Sequence, residues 1–345
     1  MSSVDVIVPC YRYGHYLRAC VESVLAQEDV ALRILIIDDE SPDDTAAVGE
    51  ELARADSRVT FRRHAVNQKH IATYNEGIEW AEATYFLLLS ADDYLLPGAL
   101  ARAAALLDAD DGIAFCYGDA LELNDDGSFG QALTGVTSPA TRSQVFSGDE
   151  FIEICRLNGT INTVSTPTAV VRTGLQKKLE GYRPELPHTG DLEIWLRLAA
   201  HGKVGLVAAN QAVYRRHANN MSLSYFADHR LADLRQRLAA IDCFCESCGS
   251  VLADAAATRR SLVRPLARDA IHGASSAFND RKLDVVQRLV EFSLSADAGV
   301  KWTLPWLALA SKRCLGHRVS SALTPTLGAL SRTAARMLTR RSAQP

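Results

Sequence analysis

The chain has 345 residues, of which 48% are hydrophobic and 23% charged, and its formal net charge is −4. This composition is typical of a folded globular protein of about two domains, and it excludes a disordered chain, a collagen and a small disulfide scaffold. The charge is unevenly placed, because residues 301–345 contain eight Lys and Arg and no Asp or Glu. We expect no nucleic-acid partner, and we treat 301–345 as a basic tail.

The first 110 residues repeat a short apolar run followed by an amphipathic stretch. Strands are predicted at 4–8, 32–37, 59–62 and 85–89. Helices are predicted at 17–25, after the polar junction 41–44, at 71–83 and at 97–107. Strands that alternate with helices across short connections predict parallel βαβ units, and therefore an α/β protein with a doubly wound, mostly parallel sheet.

The pattern changes after Gly112 to short strands at 113–117 and 167–171 with polar loops between them. A loop rich in Gly and Pro at 181–190 leads into a helix that begins at Asp191 and ends near His201. At this helix start Asp191 is either a helix cap or a carboxylate at the mouth of a site, where the helix dipole favours its ionised form. From Tyr225 the sequence predicts helices at 231–243, 259–278 and 283–294.

Eight cysteines are spread along the chain, and the N-terminus has no basic segment of the kind that begins a signal peptide. We therefore expect free thiols and a cytoplasmic protein. Cys243, Cys245 and Cys248 have the spacing C-x-C-x-x-C, but a structural zinc site usually needs four ligands. Helix packing is the favoured interpretation, and a metal site is the alternative. No apolar stretch reaches the roughly 18–20 residues of a membrane-spanning helix.

Acidic pairs follow two of the predicted strands. Asp38 and Asp39 come after the second strand, and Asp92 and Asp93 after the fourth. Ligands of open α/β sheets bind at the carboxyl ends of the strands, although Asp is also common in caps and turns. Because paired carboxylates repel each other, a divalent cation would stabilise them. The chain has neither G-x-G-x-x-G nor G-x-x-x-x-G-K-[ST], which argues against a dinucleotide oxidoreductase and a P-loop enzyme.

Six segments carry motifs, namely VIVPCY at 6–11, IIDDES at 36–41, residues 67–77, LLSADD at 88–93, GDLEIWLR at 190–197 and YRRH at 214–217. In these motifs and their order the sequence resembles the family 2 glycosyltransferases of the GT-A fold over roughly residues 3–222. The resemblance implies a Rossmann-like, mostly parallel sheet flanked by helices, with a C-terminal helical extension. It also implies a catalytic domain at 1–222, with a nucleotide-binding half at 1–110 and a metal and acceptor half at 111–222, and a helical region at 223–345.

The resemblance implies transfer of a sugar from a UDP- or dTDP-sugar to an acceptor hydroxyl, with inversion at the anomeric carbon. The expected setting is bacterial surface polysaccharide or lipid-linked glycan synthesis. Asp191 carries over as the catalytic base, and Asp93 and His217 as ligands of Mg²⁺ or Mn²⁺. The residues expected to bind the nucleotide sugar are Pro9, Tyr11, Asp38, Asp39, Asn67, Lys69, Asn75 and Asp92.

Two positions depart from the family pattern. Gly190 stands where the family often has Glu, so the carboxylate that supports the base is absent or supplied by Glu193. Arg12 replaces a commonly found Asn in the first loop. The alternatives are a non-catalytic sugar-nucleotide-binding protein and a nucleotidyltransferase. Asp191 argues against the first alternative, and the lack of a basic, glycine-rich loop after the first strand argues against the second.

The basic tail begins with aromatic and apolar residues that include Trp302, Leu304 and Leu307. Aromatic anchors beside clustered cations suit a surface of anionic lipid headgroups. We therefore expect peripheral membrane contact through 301–345. A solvated tail, or one that docks on the acidic part of the chain, is the alternative.

Overall fold

The computed structural model describes residues 1–130 and 142–316. The chain divides into two compact units, the first formed by residues 1–224 and 236–262, and the second by residues 225–235 and the chain from residue 263 onward. The predicted boundary between a catalytic and a helical region at 222 stays a prediction, because these units are defined by packing alone. Of the basic tail, residues 317–345 lie outside the described residues.

Strands and helices alternate through the first 108 residues, as predicted. A two-residue strand, β5, has no counterpart among the predicted elements. The elements are β1 (Ser3–Cys10), α1 (Gly14–Leu25), β2 (Ala31–Asp38), α2 (Thr45–Ala55), β3 (Val59–Arg63), α3 (His70–Trp80), β4 (Tyr85–Leu88), β5 (Tyr94–Leu95) and α4 (Ala99–Asp108).

The remainder of the first unit mixes longer and very short elements. Its first helix begins with a capping box, in which Ser147 and Glu150 bond each other's main-chain N–H. Reciprocal bonding of this kind satisfies two of the free N–H groups at a helix start. The elements are β6 (Ile113–Asn124), β7 (Gln144–Phe146), α5 (Gly148–Leu157), β8 (Val170–Arg172), α6 (Thr173–Lys178), α7 (Gly190–Ala199) and β9 (Lys203–Arg216).

The nine strands of the described residues form one sheet in the order β3-β2-β1-β4-β8-β6-β9-β5, with β7 also paired to β9. Strands β1 to β4 are parallel to their neighbours in this group, and β6 is parallel to β9. Strand β8 lies between β4 and β6 and is antiparallel to both. With helices on its faces, this mostly parallel sheet confirms the predicted α/β class.

Strands β1 and β2 are buried along most of their length, which explains their nearly continuous apolar sequences. One carboxylate interrupts the apolar run of β1. Asp5 is fully buried and accepts hydrogen bonds from Arg33 at 2.8 and 2.7 Å and from the main-chain N–H groups of Glu82 and Ala83. Asp5 thereby satisfies the polar groups at the amino-terminal edge of the sheet.

Three longer helices follow, which confirms the predicted C-terminal helical extension. They are α8 (Ala227–Ser247), α9 (Ala255–Asn279) and α10 (Leu283–Ala296). Residues 228–230 of α8 have φ between 47° and 67°, so regular helix begins at Leu231, as the sequence predicts. Within residues 1–130 and 142–316, no helix is both long enough and apolar enough to cross a bilayer.

All eight cysteines lie among the described residues and are free thiols. Cys245 and Cys248 are buried, whereas Cys243 is partly exposed and its sulfur lies 3.7 Å from a carboxylate oxygen of Glu185. The part of the chain that the structure describes contains no group of three or more His, Cys, Asp or Glu arranged to hold a metal ion. Cys243 and Cys245 lie on α8 and Cys248 follows it directly, and the burial of Cys245 and Cys248 favours packing within the protein.

Candidate active site

The carboxyl ends of β1, β2 and β4 meet at one edge of the sheet. The strand register pairs Cys10 with Asp38 and Ile7 with Leu88. The segments that leave these strands carry the predicted residues Pro9 and Tyr11 and the two acidic pairs. Tyr11 is 43% exposed, whereas the four carboxyl groups are buried. The topology thus brings the three predicted segments to a single site.

Asp39 organises the segment at 67–69. Its Oδ1 accepts the main-chain N–H of Gln68 at 2.7 Å and lies 2.7 Å from Nδ1 of His64, and its Oδ2 accepts the main-chain N–H of Lys69 at 2.8 Å. The side-chain amide of Asn67 donates to the main-chain oxygen of Asp39 at 2.9 Å. Three predicted nucleotide-binding residues, Asp39, Asn67 and Lys69, are therefore in direct contact with one another.

Asp38 is fully buried and shapes the loop after β2. Its Oδ1 accepts the main-chain N–H of Ser41 at 2.9 Å, and its Oδ2 lies 3.2 Å from Nε of Arg63 without hydrogen-bond geometry. The hydroxyl of Ser41 in turn accepts the N–H of Arg12, which has a φ of 65°. The loop after β1 is thus tied to the loop after β2 through its main chain, and this bond does not need the Asn that the family commonly has at position 12.

Asp92 and Asp93 make different contacts with the end of β9. Oδ1 of Asp93 accepts the main-chain N–H of Arg215 at 2.9 Å, whereas Oδ2 of Asp92 lies 3.1 Å from Nε2 of His217. Burial, followed by the negative charge of Asp92, raises the pKa of Asp93 well above its usual range. The site therefore holds two adjacent carboxyl groups whose charges are poorly compensated by the protein.

His217 is surrounded by aromatic rings of α1 and the loop before it. Its ring centroid lies 5.4 Å from that of Tyr13 and 5.7 Å from that of Tyr16. The guanidinium of Arg215 lies over Tyr16, 4.7 Å from the ring centroid. These contacts fix the histidine beside Asp92, although about 125 residues separate the two along the chain.

Asp191 begins α7, and its Oδ2 accepts the hydroxyl of Thr166 at 2.9 Å. The hydroxyl of Tyr182 lies within hydrogen-bonding reach of the same carboxylate. Burial raises the pKa of Asp191, and the hydrogen bonds from Thr166 and Tyr182 act in the opposite direction. A carboxyl with a raised pKa is a stronger base than an exposed Asp.

Tyr74 of α3 lies in the electrostatic field of the acidic residues. Burial is the main cause that raises its pKa, and the negative charges of Asp191, Asp92 and Asp93 raise the pKa further. The sequence analysis did not single out Tyr74, because an aromatic residue on a helix is usually part of the core.

Asn75 uses its side-chain amide within the protein. Its Nδ2 donates to the main-chain oxygen of Tyr182 at 2.9 Å, and its Oδ1 accepts the main-chain N–H of the same residue at 2.7 Å. The ring of Tyr182 also packs edge-to-face on Tyr74, at 5.3 Å between centroids. Asn75 therefore holds Tyr182 beside Asp191, and the sequence analysis did not identify Tyr182.

Glu193 does not take the place of the missing supporting carboxylate. Its two carboxylate oxygens accept hydrogen bonds from Arg197 at 2.9 and 2.8 Å, and both side chains are almost fully buried. Arg197 also donates to the main-chain oxygens of Leu179, Glu180 and Gly181. The contacts therefore favour the first of the two alternatives, in which α7 supplies no carboxylate to support Asp191.

Residues 5–172 match the family model described as Glycosyl transferase family 2. They belong to glycosyl transferase family 2. The family match confirms the resemblance inferred from the six motifs, and it supports glycosyltransferase activity. The match ends at residue 172. It therefore includes neither α7, which carries Asp191, nor β9, which His217 follows.

Relatives with curated sequences agree with this family. An uncharacterised protein of Mycobacterium tuberculosis is 28% identical over 243 residues, which cover 68% of this chain and 74% of the relative. An uncharacterised glycosyltransferase of Haemophilus influenzae is 24% identical over 64% of this chain and 68% of its own length. The GalNAc(5)-diNAcBac-PP-undecaprenol beta-1,3-glucosyltransferase of Campylobacter jejuni is 29% identical over 136 residues, 39% of this chain and 43% of the relative.

The fold is shared with a solved glycosyltransferase structure. Residues 1–349 of TarS from S. aureus, in complex with UDP-GlcNAc, superpose with a TM-score of 0.60 at 15% identity, covering 91% of this chain and 92% of that one. The complex of the same protein with UDP gives a TM-score of 0.59. This likeness confirms the predicted GT-A fold.

GT-A glycosyltransferases commonly use a divalent cation, and the residues present fit one. The raised pKa of Asp93 shows that a positive charge at the Asp92–Asp93 pair would stabilise both carboxylates. The described residues offer no set of three side-chain ligands around one point. Mg²⁺ is typically bound by one or two carboxylates together with waters and substrate phosphates, so such a set is not required.

Proposed function

We propose that the protein is an inverting, metal-dependent hexosyltransferase that moves a sugar from a UDP- or dTDP-sugar to an acceptor hydroxyl. The observation that supports this proposal is the set of carboxyl groups at the site, in which Asp92 lies 3.1 Å from Nε2 of His217, and Asp191, in the first turn of α7, accepts a hydrogen bond from Thr166. We assign the role of base to Asp191 and the binding of a cation to the acidic pair. A protein that only bound a sugar nucleotide would not need the first.

In the proposed reaction Asp191 accepts the proton of the acceptor hydroxyl while the hydroxyl oxygen attacks the anomeric carbon. The bond from that carbon to the diphosphate oxygen breaks on the opposite face, which inverts the configuration and releases a nucleoside diphosphate. General-base catalysis of this kind contributes a factor of about 10²–10⁴ in rate. The hydroxyl of Thr166 orients the carboxylate, at 2.9 Å from Oδ2.

The cation would be held by the acidic pair and His217. The sequence assigned Asp93 and His217 to the ion, but Asp93 already accepts a main-chain N–H, whereas Asp92 contacts His217 directly. We therefore infer that Asp92 and His217 face the ion and that Asp93 adds negative charge behind them. Mg²⁺ or Mn²⁺, when bound, would neutralise the charge of the departing diphosphate.

The nucleoside is proposed to bind over the 67–69 segment and the loop after β1. Asp39 fixes this segment, and the exposed Tyr11 follows β1, whose end pairs with the end of β2. Support for a UDP-sugar donor comes from TarS, whose structures were solved with UDP-GlcNAc and with UDP. On this proposal residues 1–222 form the catalytic domain. Residues 1–110 bind the nucleotide and supply Asp92 and Asp93 to the cation, and residues 111–222 supply His217 to the cation and bind the acceptor.

A lipid-linked acceptor, used at the cytoplasmic face of the membrane, is the proposed setting. The name of the Campylobacter jejuni relative includes an undecaprenol carrier. In the second unit of this chain, Trp302 is 89% and Leu304 82% exposed, while Leu309 is buried and anchors the same helical segment. Exposed aromatic and apolar side chains followed by Lys312 and Arg313 suit an anionic lipid surface.

Activity is tested with a panel of UDP-, dTDP- and GDP-sugars, each with Mg²⁺, Mn²⁺ or EDTA. We expect one donor to raise the melting temperature and to be hydrolysed slowly, with metal-dependent release of nucleoside diphosphate. Release of pyrophosphate would instead indicate a nucleotidyltransferase, and binding without turnover in the presence of acceptors would indicate a binding protein.

Membrane contact is tested by sedimentation with anionic vesicles, comparing Trp302→Ser with the control Leu157→Ser, which lies on the exposed surface of the first unit.

A further inference from the structure

We propose that His64 is a positioning residue of the donor site that works as an imidazolium cation, joining Asp39 to Glu76 of α3 and thereby holding the 67–69 segment in its binding shape. This inference rests on the proposed function, because the segment is proposed to bind the donor nucleoside. It concerns a residue outside the six motifs, which the sequence analysis did not single out.

The distances decide the protonation state of His64. Its Nδ1 lies 2.7 Å from Oδ1 of Asp39, and its Nε2 lies 2.7 Å from Oε2 of Glu76. A carboxylate oxygen can only accept a hydrogen bond, so each ring nitrogen has to donate one. Neutral imidazole carries a single N–H, and only the cation carries two. Both contacts are therefore hydrogen bonds at once only when the ring is protonated.

Protonation of a carboxyl instead of the ring is disfavoured by the other contacts of each acid. Asp39 accepts two further main-chain N–H groups, from Gln68 at Oδ1 and from Lys69 at Oδ2, so both of its oxygens already act as acceptors. Glu76 forms an ion pair with Arg62 at 3.1 Å, and its pKa is lowered, against the effect of burial, by hydrogen bonds from His64 and Arg62. Both partners of the ring are thus carboxylates.

The charges around His64 favour its cation. Burial alone lowers the pKa of a histidine, but the hydrogen bonds to Asp39 and Glu76 outweigh burial and raise it above the ordinary value of 6.5. Asp39 lies after β2, Glu76 lies on α3, and the cation Arg62 on β3 is engaged by Glu76. The side chain of His64 is 6% exposed, so water competes little for these bonds.

Loss of the ring proton removes one of the two bonds. Because the neutral ring keeps a single N–H, either Asp39 or Glu76 then faces a nitrogen lone pair at 2.7 Å and is repelled. Asp39 is the residue that bonds the main chain of Gln68 and Lys69. The shape of the donor segment therefore depends on the charge of His64, and donor affinity is present at low pH and lost as pH rises through the raised pKa.

The protonation state is tested on the full chain by ¹⁵N NMR with labelled histidine, using His64→Gln to assign the signal. Both ring nitrogens of His64 are expected to carry a proton at pH 7. A neutral tautomer at pH 7 would overturn the inference. This measurement needs no donor, so it stands even when the proposed glycosyltransferase activity is wrong.

The role in binding is tested by measuring the affinity for UDP with Mg²⁺ from pH 6 to pH 9. The native chain should bind about tenfold more weakly at the upper end, and His64→Gln should bind weakly and without this pH dependence. With a donor substrate, KM should rise while kcat stays close to native. His201→Gln is the matched control, since its ring contacts a single main-chain oxygen, that of Arg197. A native affinity that is independent of pH, or a fall in kcat alone, would refute the positioning role. Absence of UDP binding at every pH would count against the proposed donor instead.

Discussion

The ring of Tyr182 occupies the space beside Gly190, so that a Cβ atom at position 190 would lie only 2.9 Å from Cδ1 of the tyrosine. Cδ1 of Ile71 would lie 3.7 Å from the same Cβ atom. Since carbon atoms do not approach so closely without displacement, position 190 accepts no side chain while Tyr182 is in place. The family often has a Glu at this position next to the Asp of the base. In this chain Tyr182 takes the space of that Glu side chain, and Asp191 remains.

Gly190→Ala should therefore push Tyr182 away from Asp191 and lower kcat by about tenfold, because small misplacements of a catalytic group are costly. Gly174→Ala is the control, as a Cβ there meets no atom within 4 Å. Steady-state kinetics of both variants check the prediction. Equal kcat values in the two variants would show that Tyr182 does not position the base.

Asp191→Asn should lower transfer by about 10²–10⁴ while leaving UDP affinity near native, because the amide cannot accept the acceptor's proton. Burial disfavours the charged form of Asp191, so the variant should not melt below the native chain. Glu193→Gln provides the contrast: it weakens a buried ion pair with Arg197, so it should lower the melting temperature more than kcat. If Asp191→Asn turned over at more than a tenth of the native rate, Asp191 would be excluded as the base.

The pH profile of kcat should show an acidic limb set by Asp191, with activity rising as the carboxyl loses its proton. Burial moves this limb above the ordinary value of 3.8. Tyr182→Phe removes a hydrogen bond that lowers the pKa, so the limb should move to higher pH. Tyr117→Phe is a suitable control, because the hydroxyl of Tyr117 is buried and has no hydrogen-bond partner among the described residues. An unshifted limb in Tyr182→Phe would mean that the tyrosine does not bond the base.

Asp92→Asn should raise the Mn²⁺ concentration for half-maximal activity at least about tenfold, since one of two proposed ligands loses its charge. Manganese titrations after EDTA treatment measure this effect. Asp111→Asn, at a fully exposed position, should titrate like the native chain. If Asp92→Asn needs the same Mn²⁺ concentration as the native chain, Asp93 and not Asp92 is the carboxylate that binds the ion.

Asp5→Asn should destabilise the fold by about 2 kcal/mol at pH 7, because a buried carboxylate that accepts four hydrogen bonds is replaced. Hydrogen bonds from Arg33 and from main-chain N–H groups outweigh burial and lower the pKa of Asp5 below 3.8. Its stabilisation is therefore present above pH 3.8 and lost as pH falls through the lowered value. Urea unfolding should show the two proteins converging in acid, and a constant difference down to pH 2 would contradict this origin.

Much of the nucleotide-binding half could be predicted from the sequence, because each of its βα units is local. Apolar runs of four to eight residues and the polar junctions after them were enough to predict β1 to β4 and the positions of the acidic pairs. Asp39, Asn67 and Lys69 were predicted together, and the structure places them in contact. The strands β5 and β7 were too short to give a period, whereas β8 overlaps the strand predicted at 167–171. All three pair with strands distant in the chain.

By itself the sequence determined the α/β class, the family and the chemical type of the site residues, since these depend on periodicity and on residue identity. Only the tertiary structure decided how those side chains are used. Asn75 bonds Tyr182, Glu193 bonds Arg197, and His64 joins two carboxylates, and each of these pairings depends on three-dimensional proximity. A hydrogen bond forms between the groups that packing brings together, and packing at this site depends on loops whose sequence has no repeating pattern.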